Sequence, residues 1–350
     1  MKKINKHIEI VSSTTSGLSS MIAKSRDAVH LVLAKHYSSV GVTIINTITD
    51  LEALVARKPD LVFLGMKFVP LDATLGINDQ NKVWISQYLD AHAIAYTGSN
   101  QKAHQLELNK QLAKQRVLEA GLKTSPYQVI HYDQSQSIED ITLTFPLFVK
   151  PSNRGGGQGI DSASLVSNSD ELAAKIQSIT TTLQSDSLIE EYLPGREFSV
   201  AVLKAEHSSV LSTMPIELVA DPDHRGTRIL GSKVKSSNAE HVLEVVDPQI
   251  RAAVCTLAAD VFYALGARDY GRIDIRLDDA GVAYFLEANL LPSLISGYGS
   301  FPKACELNAQ LGYEAMILSI VRLAFDRGSS DIDEAVEIAG SVLLVAPVLG

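Results

Sequence analysis

Short apolar runs alternate with amphipathic stretches over the first hundred residues. HIEIV, VTIIN, DLVFLG and AIAYTG read as strands, and a helical pattern covers Met21 to His36 between the first two. Such alternation builds a parallel sheet flanked by helices, so residues 1–100 are expected to form a small parallel α/β lobe. The rhythm then changes. Over 101–186 a helix is predicted from His104 to Ala120, followed by strands TSPYQVI, FPLFVKP and IDSASLV. A further helix is opened by Ser167-Asn168-Ser169-Asp170, residues suited to helix caps. Over 187–327, strands SLIEEYL and EFSVAVL lead through a polar loop to a helix from Asp247 to Leu265 and then to a hairpin of YGRIDIRL and VAYFLEAN. Residues 328–350 form a tail, acidic and then apolar, without a legible role. The fold class is α/β: a small parallel lobe, then an α+β unit of two subdomains.

The last hairpin carries the densest chemistry. Its turn is marked by Asp278-Asp279-Ala280-Gly281. If those residues are the loop, Arg272 lies opposite Glu287 and Asp274 opposite Phe285. Side chains alternate along a strand, so Arg272, Asp274, Glu287 and Asn289 project from one face. Hard oxygen donors on a rigid sheet suit Mg²⁺, which is usually held by one or two carboxylates together with substrate phosphates. A solvent-facing hairpin with a cross-strand Arg–Glu pair is the alternative. The interleaved Ile273, Ile275, Phe285 and Ala288, followed by Leu290-Leu291-Pro292, argue for an apolar setting instead.

A second concentration follows the strand ending in Lys150: Arg154-Gly155-Gly156-Gly157-Gln158-Gly159. Dense glycine lets backbone N–H groups approach phosphate oxygens closely. The spacing is neither a Walker A motif nor a dinucleotide fingerprint. With IDSASLV read as the next strand, the glycines form a hairpin tip, either a flap over a nucleotide or a plain flexible turn. Lys150 supplies the point charge that phosphates need. Lys110 and Lys114 lie four apart on one helical face, and by themselves read as surface charges. Ile189, Tyr192 and Leu193 could flank a planar base or belong to the core. Glu197 could take a ribose hydroxyl or pair with Arg196.

Composition narrows the class. The 350 residues are 46% hydrophobic and 20% charged, enough for two or three compact units. A net charge of −9 argues against phosphate-backbone binding. No secretory apolar core and no membrane-length run is apparent, so a cytoplasmic location is expected. Cys255 and Cys305 give neither a disulfide framework nor zinc spacing, and read as reduced core or near-core thiols.

Taken in order, YTGS with LELNKQLAKQRVLEAGL, FPLFVKPSNRGGGQGI, LIEEYLPGREFSVAVL, GRIDIRL and FLEANLLPS resemble the ATP-grasp superfamily, and within it the D-alanine–D-alanine ligases. The resemblance runs from about Ala95 to Ala324, roughly two-thirds of the chain. It implies that Lys110 and Lys150 hold ATP phosphates beneath a flap contributing Gly156, Gly157 and Gln158. Glu190, Tyr192 and Leu193 would surround the adenine, with Glu197 on the ribose. Lys233 would be a further phosphate lysine, with Lys235 competing. Asp274, Glu287 and Asn289 would hold Mg²⁺, two ions in all, with Mn²⁺ as an alternative. Arg272 would stabilise an acyl-phosphate and the tetrahedral intermediate after it.

The substrate half departs from the family pattern. The first strand-to-helix loop, Ser12 to Ser20, lacks the glutamate that holds the ammonium of a first D-alanine. Gly65-Met66-Lys67-Phe68 replaces a His-Gly stretch, and Ser293-Leu294-Ile295-Ser296-Gly297-Tyr298-Gly299 is one residue longer before Pro302. Asn109 stands where the family has aspartate. Lys67, Ser293 and Tyr298 are therefore the candidate substrate residues. The expected activity is ATP-dependent carboxylate–amine ligation, ADP-forming, with an altered substrate pair. A genuine D-alanine–D-alanine ligase, an ATP-grasp kinase and a nucleotide-binding module without turnover remain alternatives. Expected partners are ATP, small carboxylates and amines, and a second copy of the chain, with no nucleic acid or membrane.

Overall fold

In the computed structural model the described residues are 2–15, 17–133, 138–222, 226, 228–231, 234 and 239–342, with side chains described to residue 327. The first lobe runs β1 (Ile4–Ser12), α1 (Ala23–His36), β2 (Tyr37–Ile44), α2 (Ile48–Ala56), β3 (Leu61–Leu64), β4 (Phe68–Pro70), β5 (Lys82–Trp84), α3 (Ile85–Ala91) and β6 (Ala95–Tyr96). Strands β2, β1, β3 and β6 make a parallel sheet in that order, while β4 and β5 pair as a separate hairpin. All four residues of β3 are buried, as an apolar strand covered on both faces must be.

The single helix expected from His104 to Ala120 is in fact two, α4 (Gln101–Leu108) and α5 (Lys110–Glu119). Asn109 breaks them at φ −116°, ψ 95°, and its side chain accepts the Leu112 N–H to cap α5. Asparagine favours such a local bond over helix continuation, a competition that apolar periodicity does not report.

The middle sheet comes from β7 (Tyr127–Ile130), β8 (Leu147–Pro151), β9 (Leu165–Val166) and, after α6 (Ser169–Leu183), β10 (Ser187–Glu191), in the order β7-β10-β8-β9. IDSASLV is a strand only at Leu165–Val166. Ser162–Ser164 form a 3₁₀ turn capped by Asp161, so the glycines sit in a longer loop than a hairpin tip.

The third unit contains β11 (Glu197–Lys204), β12 (Leu211–Val219), β13 (His241–Glu244), α7 (Pro248–Ala264), β14 (Tyr270–Leu277) and β15 (Ala283–Asn289). Its sheet runs β13-β12-β11-β14-β15. Asp247 caps α7 by accepting from Gln249 and Ile250, with Pro248 in the first turn.

The β14–β15 register differs from the expected one. Arg272 pairs with Asn289 and Asp274 with Glu287, while beyond an irregularity Ile275 pairs with Phe285. The turn takes one more residue, with Gly281 at φ +78°, and Leu286 is bulged. These two offsets sum to two residues, which restores the alternation, so the polar set still shares one face.

The chain ends in α8 (Ser300–Ala309) and α9 (Tyr313–Val342). Met316, Ile317, Ile320 and Val321 of α9 are buried in one cluster with Ile8, Ile10 and Leu61 to Leu64, so α9 packs back onto the first sheet. The helix continues past residue 328, where a separate tail was expected, and residues 343–350 lie outside the described residues. Cys305 is buried, Cys255 is partly buried, and both are free thiols. Among the described residues no helix is long and apolar enough to cross a membrane.

Candidate nucleotide and metal site

Strands β8, β10, β11, β14 and β15 line an open cavity. Lys150, Glu190, Tyr192, Leu193, Glu197, Asp274, Arg276 and Glu287 are among its lining residues. Three of the strands, β11, β14 and β15, place these groups by register: Glu197 lies opposite Arg276, Ser199 opposite Asp274, and Asp274 opposite Glu287.

Asp274 is the hub of the acidic end. It is buried and takes a fork from Arg272, Nε to Oδ1 at 2.9 Å and an Nη to Oδ2 at 2.8 Å. Ser199 donates to Oδ1 at 2.8 Å and Asn289 Nδ2 to Oδ2 at 3.3 Å. Burial alone would lower the Arg272 pKa, but Asp274, with Glu287 and Glu107 behind it, raises it, so the guanidinium stays charged. Glu287 is more open and lies 3.6 Å from Lys110 Nζ. Two carboxylates and an amide on adjoining strands are a hard-oxygen set, too few to cage a cation. Among the described residues no group of three acidic, histidine or cysteine side chains is placed to hold a metal ion by itself. Such a set fits a divalent ion whose remaining ligands are phosphate oxygens and water.

The basic end holds a surprise. Lys114, read from sequence as a surface charge, is fully buried, and Glu190 bridges it to Lys150, at 2.5 Å and 2.7 Å respectively. Lys114 also donates to Thr124 and Ser125. The two lysines share one carboxylate but shift in opposite directions. Burial depresses Lys114 to about 8, with the Glu190 carboxylate opposing the fall and Lys150 adding to it. Burial acts on Lys150 too, yet Glu190, Glu287 and Glu197 together outweigh it and raise its pKa. Glu190, despite burial, is pulled down to about 2 by the two ammoniums. Lys110 is buried, its ammonium donates to the Arg154 carbonyl, and burial lowers its pKa.

Arg276 donates to Glu197 at 3.0 Å and to the Tyr192 hydroxyl at 3.0 Å, with its guanidinium 5.0 Å from the Tyr192 ring. Arg276 was missed in the sequence, although its spacing of two residues from Asp274 and four from Arg272 places it on the same face. In the glycine loop, Gly156, Gly157 and Gly159 have φ of +63°, +76° and +76°. Arg154 anchors the loop by donating to Asn153, Asn78 and the Leu183 carbonyl. Lys233 and its competitor Lys235 lie outside the described residues.

The three substrate candidates do not converge as simply. Lys67 forms an ion pair with Glu107 at 2.8 Å, and the Tyr298 hydroxyl pairs with Glu240 at 3.2 Å. Ser293 lies in the turn after β15, where its carbonyl is near Gly299. The hydroxyls of the first loop are largely used internally. Ser12, Ser19 and Ser20 donate to the Met21 and Gly65 carbonyls, and Ser13 to Asn46.

Comparison with known proteins decides the family. The D-ala D-ala ligase C-terminus family matches residues 117–322. This chain belongs to that family. D-alanine–D-alanine ligase of Geotalea uraniireducens is 26% identical over 303 residues, covering 86% of this chain and 90% of that protein. An uncharacterized protein, y4sG, of Sinorhizobium fredii is 28% identical over 284 residues, covering 80% of each. Among solved structures, the Bacillus anthracis D-alanine–D-alanine ligase complexed with ATP superposes with TM-score 0.72 at 18% identity, over 94% of this chain and all (100%) of that one. The Coxiella burnetii ligase gives 0.68 at 17% identity over 96% and 99%. These superpositions establish the ATP-grasp ligase fold, the parallel first lobe included.

Proposed function

We propose that this ATP-grasp ligase joins a carboxylate to an amine through an acyl-phosphate, and that its acyl donor carries no free ammonium beside the reacting carboxylate. The observation that supports ligation best is the pairing of Asp274 with Glu287 and of Arg272 with Asn289, in a hairpin whose Asp274 and Glu287 line the same cavity as Lys150. A carboxylate oxygen attacks the γ-phosphorus and ADP leaves. An amine then attacks the acyl carbon and phosphate leaves. Mg²⁺, held by Asp274, Glu287 and Asn289, would neutralise phosphate charge during transfer. Lys110 and Lys150 would bind the phosphate chain, and the glycine loop with Gln158 would cover it. Tyr192 and Leu193 would flank the base, with Glu190 at its edge, and Glu197 would take the ribose. Arg272 would face the oxyanion of the tetrahedral intermediate, where fixed charge contributes most.

The donor assignment rests on where the acids are. The first loop has no carboxylate. Asp79 instead accepts the Asp72 and Asn81 N–H groups and Asp72 accepts from Thr74, so both acids hold the loop between β4 and β5. A buried ammonium left without a counter-charge costs on the order of 3–5 kcal/mol. An amino acid is then the acceptor. ADP release against a panel of amino acids and non-amino carboxylates tests this. Turnover on D-alanine alone, with a KM below about 1 mM, would instead identify an ordinary D-alanine–D-alanine ligase. ADP release with one acid and no dependence on amine would identify a kinase.

A further inference from the structure

Lys67 follows the end of β3, and its ammonium is delivered to the start of the segment after β15. Glu107 of α4 is the connecting group. Its Oε1 accepts from Lys67 at 2.8 Å and from the Leu290 N–H at 2.8 Å, and its Oε2 pairs with His104 Nδ1 at 3.0 Å. Leu290 directly follows Asn289, which pairs with Arg272 across the strands. On its other side, the strand end that leads into Lys67 is stitched to the serine-rich loop. Ser20 N–H bonds the Gly65 carbonyl at 3.0 Å, and Ser19 bridges Met66. One ammonium therefore sits where the first loop, the β14–β15 hairpin and α4 meet.

This ion pair is lopsided. Glu107 is buried, has three partners, and is held down at about 2 by Lys67 and His104 in spite of its burial, so it has little left to offer a ligand. Lys67 is the reverse. Its side chain is 16% exposed, and among the described residues its ammonium spends one of three N–H donors on Glu107. A group entering beside Lys67 meets N–H donors and a carboxylate that is already occupied. A hydroxyl, keto or carboxylate oxygen accepts from such a lysine, whereas a substrate ammonium brings like charge and cannot accept.

We propose that Lys67, positioned by Glu107, is the specificity-determining residue of the acyl-donor site, and that the donor carries an oxygen acceptor, as in a 2-hydroxy or 2-keto acid, where an amino acid would carry its ammonium. This rests on the ligase reading above and names the class of acid. The test takes matched pairs of 2-hydroxy and 2-amino acids with identical side chains and of both hands, lactate against alanine and larger pairs alike. Each is incubated with ATP, Mg²⁺ and hydroxylamine, whose nitrogen displaces phosphate from an acyl-phosphate to give a hydroxamate. Wild-type enzyme should favour the hydroxy acid of a pair in kcat/KM. Lys67→Met should cut that preference at least tenfold, and Lys67→Arg should keep it. Because Lys67→Met leaves Glu107 buried without its cation, Lys67→Met with Glu107→Gln serves as the fold-safe version and should show the same lost preference. A wild-type preference for the amino acid, or an unchanged ratio in both neutral variants, overturns the inference and leaves the ligase reading intact. Absence of hydroxamate and of ADP with every acid overturns the ligase reading as well.

Discussion

Replacing Glu190 by glutamine keeps the shape of the site but removes the one carboxylate bridging two buried ammoniums, Lys114 and Lys150. Losing one partner of a buried charge set typically costs about 3–5 kcal/mol, and Glu190→Gln should destabilise the fold by that amount near neutral pH. The pH dependence identifies the cause. Lys114 already has a folded pKa of about 8 against 10.5, so between those values the unfolded chain binds more protons and wild-type stability rises with pH. Without Glu190 the Lys114 value falls further, and the rise begins lower on the pH scale, at up to about 1.4 kcal/mol per unit. Between about pH 6 and pH 8 the deficit of the variant should therefore shrink by at least about 1 kcal/mol. On the acid side, wild type should lose stability as pH falls from the ordinary 4.5 towards about 2, and this contribution should be absent from the variant. Urea unfolding at a series of pH values measures both limbs. A deficit that stays constant from about pH 6 to pH 9 would refute the assignment of Lys114 as a strained, carboxylate-dependent cation.

Glu287→Ala should abolish ATP turnover while leaving the chain folded, with a stability cost from the loss of the carboxylate 3.6 Å from the buried Lys110 ammonium. Wild-type turnover in that variant at saturating Mg²⁺ would remove it from the metal site. In the glycine loop, Gly159→Ala should cost at least about 1 kcal/mol, since a β-carbon there lies 2.6 Å from Pro151 Cγ and 2.8 Å from Leu183 Cδ1 with φ at +76°. Gly155→Ala meets nothing within 4 Å and should fall within about 0.5 kcal/mol of wild type, as urea melts of the two will compare.

Alternation made the hairpin chemistry legible, and it survived a misplaced register because a shift of two residues returns every side chain to its own face. The same parity argument reaches Arg276. The break at Asn109 and the short β9 were not legible, since each is decided by one side chain bonding its own backbone while the apolar period continues past it. The burial of Lys114 was hidden for another reason. A lysine four residues from another marks one helical face, but whether that face meets water depends on Glu190, 76 residues further along the chain. Lys67 was visible as an unexpected positive charge. Its neutralisation by Glu107 was not, because that contact joins separate elements across the lobes.

The break at Asn109 makes Lys110 the first residue of a new helix, and its backbone N–H bonds the Ser152 carbonyl at 3.1 Å, two residues past Lys150. The spacing between these two lysines is thus gauged by main chain, independent of what the first lobe carries. Side chains around the serine-rich loop and Lys67 can be exchanged without recalibrating that gauge. A lineage with such a joint can change the acid it activates while its hold on nucleotide stays the same. In this chain the first loop, which carries no carboxylate, lies outside that gauge.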